Sequence, residues 1–348
     1  MNRNIIWTIY ELYRGGRLVK ADLGRTEFRG LGFYVPERVL TNFEIEGMVD
    51  TSDEWIYTRT GIKERHIAAS DQATSDLAAI AARRALENSG LSPAELDLII
   101  VATATPDYPM PATACLVQQS IGAEKAAAFD ISAACSGFIY GLSIADAYIK
   151  SEAYQNILLI GAETFSRFIN WQDRNTCILF GDGAGAVVLQ RGSGNSGILS
   201  TFLGAEGAGA GLLSIPAGGS RLPAGKESFE KNLHFLQMNG KEVYKVAAAG
   251  MAKAILSVLE NAGLTLEDVD LIIPHQANVR IIESLRQKLH LAQEKVFVNL
   301  TSYGNTSAAS IPIALCEALE AHQIKKDDVV VLVSFGAGLT WGASIIHW

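Results

Sequence analysis

The sequence lacks several features that would each place a protein in a large functional class. Its 348 residues include four cysteines, with no Cys-x-x-Cys pair, which suits free thiols in a reducing compartment. No apolar run approaches the roughly eighteen residues that a membrane-spanning helix needs. The net charge of −8 argues against a general binder of nucleic acid or of anionic membranes. We therefore expect a cytoplasmic protein whose partners include neither nucleic acid nor membrane.

The chain also lacks a phosphate-binding loop, although it contains 32 glycines. Gly-Lys-Ser and Gly-Lys-Thr are absent, and the glycine clusters at 204–211 and 218–225 have the composition of surface loops. Glycine permits tight hairpins because it has no Cβ. We therefore expect these clusters to form turns, and we do not expect nucleotide binding through a Rossmann turn.

Two stretches repeat one another at an offset of about half the chain. Residues 86–100 and 259–273 align without a gap, and nine of the fifteen positions are identical. Each has the pattern of a helix end, a glycine turn and a buried strand. A repeat of so long a period indicates a duplicated domain, since solenoid repeats are much shorter. Coincidence between two similar units is the alternative, but the order of elements continues beyond the repeat.

The two halves continue in parallel. Each next has a strand that carries Asp or Asn, at 129–130 and at 298–299, then a turn of small residues and a long helix. Strands that alternate with helices predict mostly parallel sheets covered by helices. We expect an α/β fold layered α/β/α/β/α, with two mostly parallel mixed sheets. Its expected parts are an N-terminal extension at 1–25, a first half at 26–195 and a second half at 196–348.

A short helix is predicted near residue 55. The stretch Thr51-Ser-Asp-Glu54 has the pattern of a capping box at a helix start. Trp55 and Arg59 are four residues apart, so their side chains can lie on one face of that helix. Such a pair could be only a surface cation–π pair.

Cys135 lies where a predicted strand passes into a predicted helix. Residues 127–131 are an apolar run of strand length, and a helical face follows with Phe138, Leu142, Ala145 and Ile149. Free amide donors and the helix dipole favour negative charge at a helix start, so we expect a lowered thiol pKa and a nucleophile. The other interpretation is a small residue of the core.

His275 and Asn305 occupy similar positions in the second half. His275 follows the predicted strand 269–273, at the strand end where α/β folds keep their sites. Asn305 lies in a small-residue turn about thirty residues later. A structural histidine and a helix N-cap are the simpler interpretations of the two residues taken singly. Together with Cys135 they supply a nucleophile, a nitrogen base or donor, and an amide donor.

At this point the sequence resembles the β-ketoacyl-[acyl-carrier-protein] synthase III family, the initiating condensing enzymes of bacterial fatty-acid synthesis in the thiolase superfamily. The resemblance covers the chain from about residue 26 to its end. It is carried by six segments, which are Thr51-Ser-Asp-Glu-Trp-Ile with Thr58-Arg-Thr-Gly-Ile, Ala133-Ala-Cys-Ser-Gly-Phe, Leu179-Phe-Gly-Asp-Gly-Ala-Gly-Ala, Pro274-His-Gln-Ala-Asn, Tyr303-Gly-Asn-Thr-Ser and Phe335-Gly-Ala-Gly-Leu-Thr-Trp-Gly.

The resemblance implies a role for each matching residue. The catalytic triad would be Cys135, His275 and Asn305, with the backbone amides of Cys135 and Ala337 as the oxyanion hole. Coenzyme A would be held by Trp55, Arg59, Arg174, Gly240, Tyr244 and Asn278. The carrier protein would dock at Lys245 and Arg280, which are otherwise solvated charges, and Met110 would line the partner subunit's acyl pocket.

The implied reaction joins an acyl-CoA, acetyl-CoA foremost, to malonyl-acyl-carrier protein through an acyl-cysteine, in a homodimer without a metal or redox cofactor. Three alternatives stay open at this point. A starter synthase of a polyketide or quinolone pathway would condense other acyl groups. A thioester hydrolase or acyl shuttle would keep Cys135 without condensing. A binding subunit without catalysis is expected to have lost one member of the triad.

Overall fold

The structure is a computed structural model that describes residues 24–348, together with the backbone of two short N-terminal strands. The predicted extension at 1–25 therefore lies almost entirely outside the described residues. The strands are β1 Tyr13–Arg14, β2 Arg17–Leu18, β3 Thr26–Tyr34, β4 Arg38–Thr41, β5 Glu64–Ile67, β6 Leu98–Ala102, β7 Ala127–Ile131, β8 Asn156–Glu163, β9 Gly183–Arg191, β10 Gly197–Ala205, β11 Leu213–Ser214, β12 Gln237–Met238, β13 Leu271–Pro274, β14 Val329–Gly336 and β15 Thr340–His347.

The α-helices are joined by several short 3-10 turns. Their bounds are α1 Asn42–Glu46, α2 Asp53–Thr60, α3 Thr74–Ser89, α4 Thr113–Ile121, α5 Gly137–Lys150, α6 Arg174–Cys177, α7 Lys226–Glu230, α8 Gly240–Ala262, α9 Val279–Lys288, α10 Leu300–Tyr303 and α11 Ser310–Glu320. Within the described residues, none of these helices combines the length and apolarity that a membrane crossing requires.

Two mixed sheets form the frame. The first has the strand order β3-β9-β8-β6-β7, and the second has the order β10-β15-β14-β13. All strands of the first sheet precede residue 192, and all strands of the second follow residue 196. Three of the seven strand pairings in these sheets are parallel, so the sheets are mixed as expected but contain less parallel pairing than we expected.

Helices cover both sheets and fill the space between them. α3 and α4 pack on the outer face of the first sheet, and α8 packs on the outer face of the second with α9 beside it. α5 and α11 contact strands of both sheets, so they form the middle layer of the expected α/β/α/β/α order. Because this layer is buried on both sides, the helix face predicted from Phe138, Leu142, Ala145 and Ile149 is inaccessible to solvent.

The sequence repeat corresponds to a structural repeat. α3 and α8 both end at a glycine in the left-handed conformation, Gly90 at φ 71° and Gly263 at φ 70°. Each glycine leads to a strand that is buried along its length, β6 or β13. A side chain at φ near 70° would be strained, which is the physical reason for glycine at both stops. The division at residue 195 itself stays a prediction.

Two local predictions were wrong. α2 begins at Asp53 with Ser52 as its N-cap, whose hydroxyl accepts from the Trp55 amide at 3.1 Å. The predicted capping box from Thr51 to Glu54 is out of register by one residue, so its two ends cannot bond each other.

The second error is the strand expected at 298–299. The chain makes an isolated bridge before that position, between Ile272 and Val296, and α10 begins at Leu300. The Gln276 side chain takes the place of a strand neighbour, because its Oε1 accepts from the amides of Asn299 at 3.0 Å and Leu300 at 3.3 Å. A side chain that satisfies these amides makes a longer ladder unnecessary.

Candidate active site

Cys135 lies in a 3-10 turn between β7 and α5. The turn spans Ala134–Ser136 and begins at Ala134 with φ 46°, in the left-handed region that non-glycine residues rarely adopt. The hydroxyl of Ser334, on β14, donates to the Cys135 carbonyl at 2.7 Å. The nucleophile candidate is therefore fixed by both halves of the fold at once.

The β14–β15 hairpin closes over this turn. An added Cβ at Gly336 would lie 2.8 Å from the Cys135 amide nitrogen, so only glycine permits this close approach. The Thr340 hydroxyl lies 3.1 Å from the Ala133 carbonyl and 3.0 Å from the Ala337 carbonyl. These contacts hold the backbone next to Ala337 against the Cys135 turn. The family resemblance implies that the backbone amides of Cys135 and Ala337 form the oxyanion hole.

His275 follows β13 and is held at its Nδ1 atom. Its backbone amide donates to the Val333 carbonyl at 2.8 Å, and Nδ1 lies 2.6 Å from the Ser310 hydroxyl. The same hydroxyl accepts from the Gln276 amide at 3.4 Å. The Ser310 hydroxyl has one proton to donate, and Nδ1 is the partner left to accept it. We therefore assign neutral His275 as the tautomer that carries its proton on Nε2.

Asn305 is fixed through its backbone and through one end of its amide. Its main chain bonds the Leu179 carbonyl at 2.8 Å and the Gly181 amide at 3.1 Å. Its Oδ1 accepts from the Ser307 amide at 2.9 Å, so the NH₂ group is the end left to donate to a ligand.

A single cavity of about 140 Å³ joins these residues. Cys135, His275 and Asn305 line it, and they are 6%, 4% and 6% exposed. The remaining wall is mostly apolar, and it includes Leu179, Phe180, Leu213, Met238, Gly240, Val243, Tyr244, Asn278, Phe335 and Gly336. The triad predicted from the sequence therefore meets in one place, at the polar end of an apolar channel.

Burial controls the charge states in this cavity. It raises the pKa of the Cys135 thiol to about 12, an effect that the neighbouring Glu163 carboxylate reinforces and a Ser307 hydrogen bond opposes. Our expectation of a lowered thiol pKa was wrong, because a helix start contributes about 0.3–1 kcal/mol, less than one pKa unit, against this loss of solvation. Burial also lowers the pKa of His275 to about 3, so its imidazole is neutral at pH 7.

The predicted coenzyme A residues fall into two groups. Gly240, Tyr244 and Asn278 line the cavity. Trp55, Arg59 and Arg174 do not line it. They form a cluster of their own, in which the guanidinium groups of Arg59 and Arg174 lie 4.1 Å and 4.8 Å from the Trp55 ring centroid. Trp55 packs against the apolar cluster that includes Phe180 of the cavity wall, and Leu213 of that wall packs against the same cluster.

Three other predicted residues lie outside the cavity. Lys245 is exposed on α8 and pairs with Glu242 at 2.7 Å. Arg280 is exposed on α9 and donates to the Thr58 carbonyl at 3.1 Å. Met110 is 85% exposed in the loop before α4. The ion pair with Glu242 partly offsets the positive charge that Lys245 brings to this surface.

Sequence reasoning missed three polar residues at the site. Ser310 orients His275, and Ser307 and Glu163 lie behind Cys135. The one available signal was Glu163, a charged residue that ends the otherwise apolar strand 157–163. The two serines gave no signal, because serine is common in small-residue turns and helix starts.

The fold and the site define the chain as a thiolase-fold condensing acyltransferase. Two family models described as 3-oxoacyl-[acyl-carrier-protein] synthase III match it, one over residues 129–207 and one, for the C-terminal part, over 259–348. A relative from Caldanaerobacter subterraneus named beta-ketoacyl-[acyl-carrier-protein] synthase III is 60% identical over 92% of this chain and 96% of its own. One of the same name from Symbiobacterium thermophilum is 59% identical over 92% and 97%.

Solved structures agree with the sequence relatives. The 3-oxoacyl-[acyl-carrier-protein] synthase III of Aquifex aeolicus superposes with a TM-score of 0.87 at 51% identity, over 93% of this chain and all of that one. The chain belongs to the β-ketoacyl-[acyl-carrier-protein] synthase III family. These identities do not favour the alternatives of a starter synthase, a hydrolase or a binding subunit.

Proposed function

We propose that the chain catalyses the initiating condensation of type II fatty-acid synthesis, in which an acyl-CoA primer, acetyl-CoA foremost, and malonyl-acyl-carrier protein give a 3-oxoacyl-acyl-carrier protein. The observation that carries this proposal is the cavity where the Cys135 thiol meets two neutral hydrogen-bond donors, His275 and Asn305. The names of the relatives supply the carrier-protein substrate.

In the first half-reaction, Cys135 becomes acylated. Its sulfur attacks the thioester carbonyl of the primer and a carbon–sulfur bond forms. The bond to the sulfur of coenzyme A breaks, and coenzyme A leaves as a thiol, because it gains a proton in place of the one that Cys135 loses. The tetrahedral oxyanion forms beside the amides of Cys135 and Ala337, which Gly336 allows to approach one another. Backbone amides can do this work whatever the side chain, so alanine at 337 is compatible with the role.

In the second half-reaction, the malonyl group loses its carboxylate. The carbon–carbon bond to CO₂ breaks, and its electron pair gives an enolate whose oxygen receives hydrogen bonds from the His275 Nε2–H and the Asn305 NH₂. The enolate carbon then attacks the acyl carbonyl on Cys135. A carbon–carbon bond forms and the carbon–sulfur bond breaks. The sulfur leaves as a thiolate, which regains a proton that comes from solvent.

The apolar channel suits the pantetheine arm, with Gly240, Tyr244 and Asn278 along it. The Trp55 cluster suits the nucleotide end, because a flat aromatic ring can stack on adenine and two guanidinium groups attract phosphates. The protein acts as a homodimer in this proposal, with the exposed Met110 reaching the acyl pocket of the partner subunit.

Mapping the acyl group tests the proposal. After incubation with labelled acetyl-CoA and digestion, the label is expected on the peptide that contains Cys135 and is expected to be absent from Cys135→Ser. Cys115 is an internal control because it is the exposed cysteine, whereas Cys177 and Cys316 are buried. Label on any of these three, or label that survives in Cys135→Ser, would contradict the proposal.

A further inference from the structure

The side chain of Gln276 is buried behind the cavity, with 2% of the residue exposed. An amide side chain has two N–H donors and an oxygen that can accept two hydrogen bonds, and here all four are used. Nε2 donates to the carbonyls of Pro274 at 2.8 Å and Phe297 at 3.1 Å. Oε1 accepts from the amides of Asn299 at 3.0 Å and Leu300 at 3.3 Å. Because carbonyls lie at one end and N–H groups at the other, the orientation of the amide is fixed.

The NH₂ end of Gln276 fixes the peptide unit that leads into His275. The Pro274 carbonyl and the His275 amide belong to one planar unit. Gln276 Nε2 bonds the oxygen of that unit, and the Val333 carbonyl accepts from its N–H at 2.8 Å. The position of the His275 backbone therefore depends on Gln276 as well as on β14.

The oxygen end of Gln276 fixes the segment that leads to Asn305. Asn299 is the N-cap residue of α10, but its own side chain makes no capping bond, and Gln276 Oε1 accepts from the free amides in its place. α10 is a single turn, Leu300–Tyr303, and one glycine separates it from Asn305. So short a helix has few hydrogen bonds of its own, so its position depends on the groups that satisfy its ends.

The proposed decarboxylation makes the separation of these two segments important. The enolate oxygen must lie about 3 Å from the donor of His275 and from the donor of Asn305 at the same time. The two donors come from different segments, and Gln276 bonds both segments. A displacement of about 1 Å caused by a change away from the chemistry can cost about 10²-fold in rate.

We propose that Gln276 is a positioning residue for decarboxylation, because its amide fixes the separation at which His275 Nε2–H and the Asn305 NH₂ reach one enolate oxygen. This inference rests on the proposed function, in which those two donors stabilise the enolate. Gln276 acts through the backbone of the two segments and not by contact with the substrate. Acylation of Cys135 uses neither donor, so it should not depend on Gln276.

Gln276→Met is the first test, because methionine has a similar length and volume and makes none of the four hydrogen bonds. We expect kcat for release of ¹⁴CO₂ from malonyl-carrier protein to fall about 10- to 10²-fold. The loss should be smaller than that from removing a donor, because Asn305 keeps its backbone bonds to Leu179 and Gly181. The KM for malonyl-carrier protein and acylation by acetyl-CoA should not change, since the donors act in the transition state of decarboxylation.

Combination with the donor variants separates positioning from general support of the fold. In Asn305→Ala only one donor is left, so there is no separation between donors to maintain. Adding Gln276→Met to that variant should therefore slow decarboxylation little further, and the same is expected in His275→Ala. A residue that only stabilised the protein would lower the rate by its full factor in either background.

A control and a second variant complete the experiment. Gln190 on β9 is half-buried, and its amide bonds the side chains of Asn156 at 2.6 Å and Arg29 at 3.1 Å. Gln190→Met removes the same group away from the cavity and should leave decarboxylation unchanged. Gln276→Asn keeps an amide but is one methylene shorter, so it cannot reach both segments. It should show the same selective loss of kcat, and it carries the test if Gln276→Met does not fold.

The two proposals fail in different ways. If Cys135 takes the acetyl label and the Gln276 variants decarboxylate at the original rate, the positioning inference is wrong and the proposed function stands. Equal losses of acylation and decarboxylation, or the full additional loss in the Asn305→Ala background, would also overturn the inference. If Cys135 takes no label in the unaltered protein, the proposed function itself is wrong.

Discussion

At the residue scale, the cavity places two fixed hydrogen-bond donors beside Cys135. His275 and Asn305 are fixed as donors by Ser310 and by the Ser307 amide, so both suit an enolate oxygen. We expect His275→Ala and Asn305→Ala to accept acetyl from acetyl-CoA and to lose malonyl decarboxylation by about 10²–10³-fold each, the usual effect of removing an oxyanion donor. Release of ¹⁴CO₂ from malonyl-carrier protein and acyl-enzyme formation are to be measured on the same preparations.

The double variant distinguishes a shared oxyanion site from two independent roles. Two donors to one oxygen act as a unit, so His275→Ala with Asn305→Ala should be little worse than the poorer single variant. Cys135→Ser serves as the acylation-negative control. A single variant that decarboxylates normally but cannot be acylated would assign the opposite role, with that residue activating Cys135.

Single residues show which features of the site could be predicted from the sequence and which could not. The identity of Cys135, His275 and Asn305 as candidates came from local patterns, since each stands in a turn next to a strand or helix. The thiol pKa could not be predicted, because burial by Glu163, Ser307 and the β14–β15 hairpin comes from residues far away in the chain. Glu163 was missed for the same reason, because its donors Thr105 and Ser307 are separated from it by 58 and 144 residues.

At the element scale, the repeat was the most informative part of the sequence. A helix that stops at a glycine and is followed by a buried strand is a local signal. It predicted both the α3–β6 unit and the α8–β13 unit. The pairings β3–β9 and β10–β15 join strands that are distant in the sequence, and both are antiparallel. Hydrophobic periodicity carries no information on strand direction, so these pairings could not be predicted. The missing strand at 298–299 depended on one tertiary contact from Gln276, which no local pattern predicts.

The start of α6 and one face of α2 together form the Trp55 cluster. If it holds the nucleotide end of coenzyme A, Arg174→Met should raise the KM for acetyl-CoA about tenfold, which corresponds to about 1.4 kcal/mol and lies within the range of a partly desolvated cation–π contact. Acylation by acetyl-pantetheine, which lacks the nucleotide, should be unchanged because the channel residues are intact.

Arg83 provides a matched control for that measurement. It is an exposed arginine on α3 whose guanidinium bonds the Ser120 carbonyl, so Arg83→Met removes an equal charge from a different surface. Its KM for acetyl-CoA should not change. Equal loss with acetyl-CoA and with acetyl-pantetheine in Arg174→Met would mean that the cluster only supports the fold around Trp55.

At the scale of the whole molecule, the net charge opposes the carrier-protein docking that we propose. The chain has a net charge of −8, so an acidic carrier protein is repelled at long range and a local positive surface must attract it. Lys245 on α8 and Arg280 on α9 lie on two helices that pack side by side and that also contribute Tyr244 and Ile281 to the cavity wall. A carrier docked there would have a short path for its pantetheine arm to Cys135.

The double variant Lys245→Glu with Arg280→Glu tests this surface. We expect the apparent KM for malonyl-carrier protein to rise about tenfold or more and its salt dependence to weaken, because a favourable local field is replaced by a repulsive one that salt screens. Acylation by free acetyl-CoA should be nearly unchanged. The control is Lys253→Glu with Lys288→Glu, which has the same net charge as the test variant. It alters exposed positions farther along the same two helices, so the KM for malonyl-carrier protein should stay near its original value. Equal weakening in the two double variants would show that only total charge matters, and equal damage to both half-reactions would show that Lys245 and Arg280 are structural.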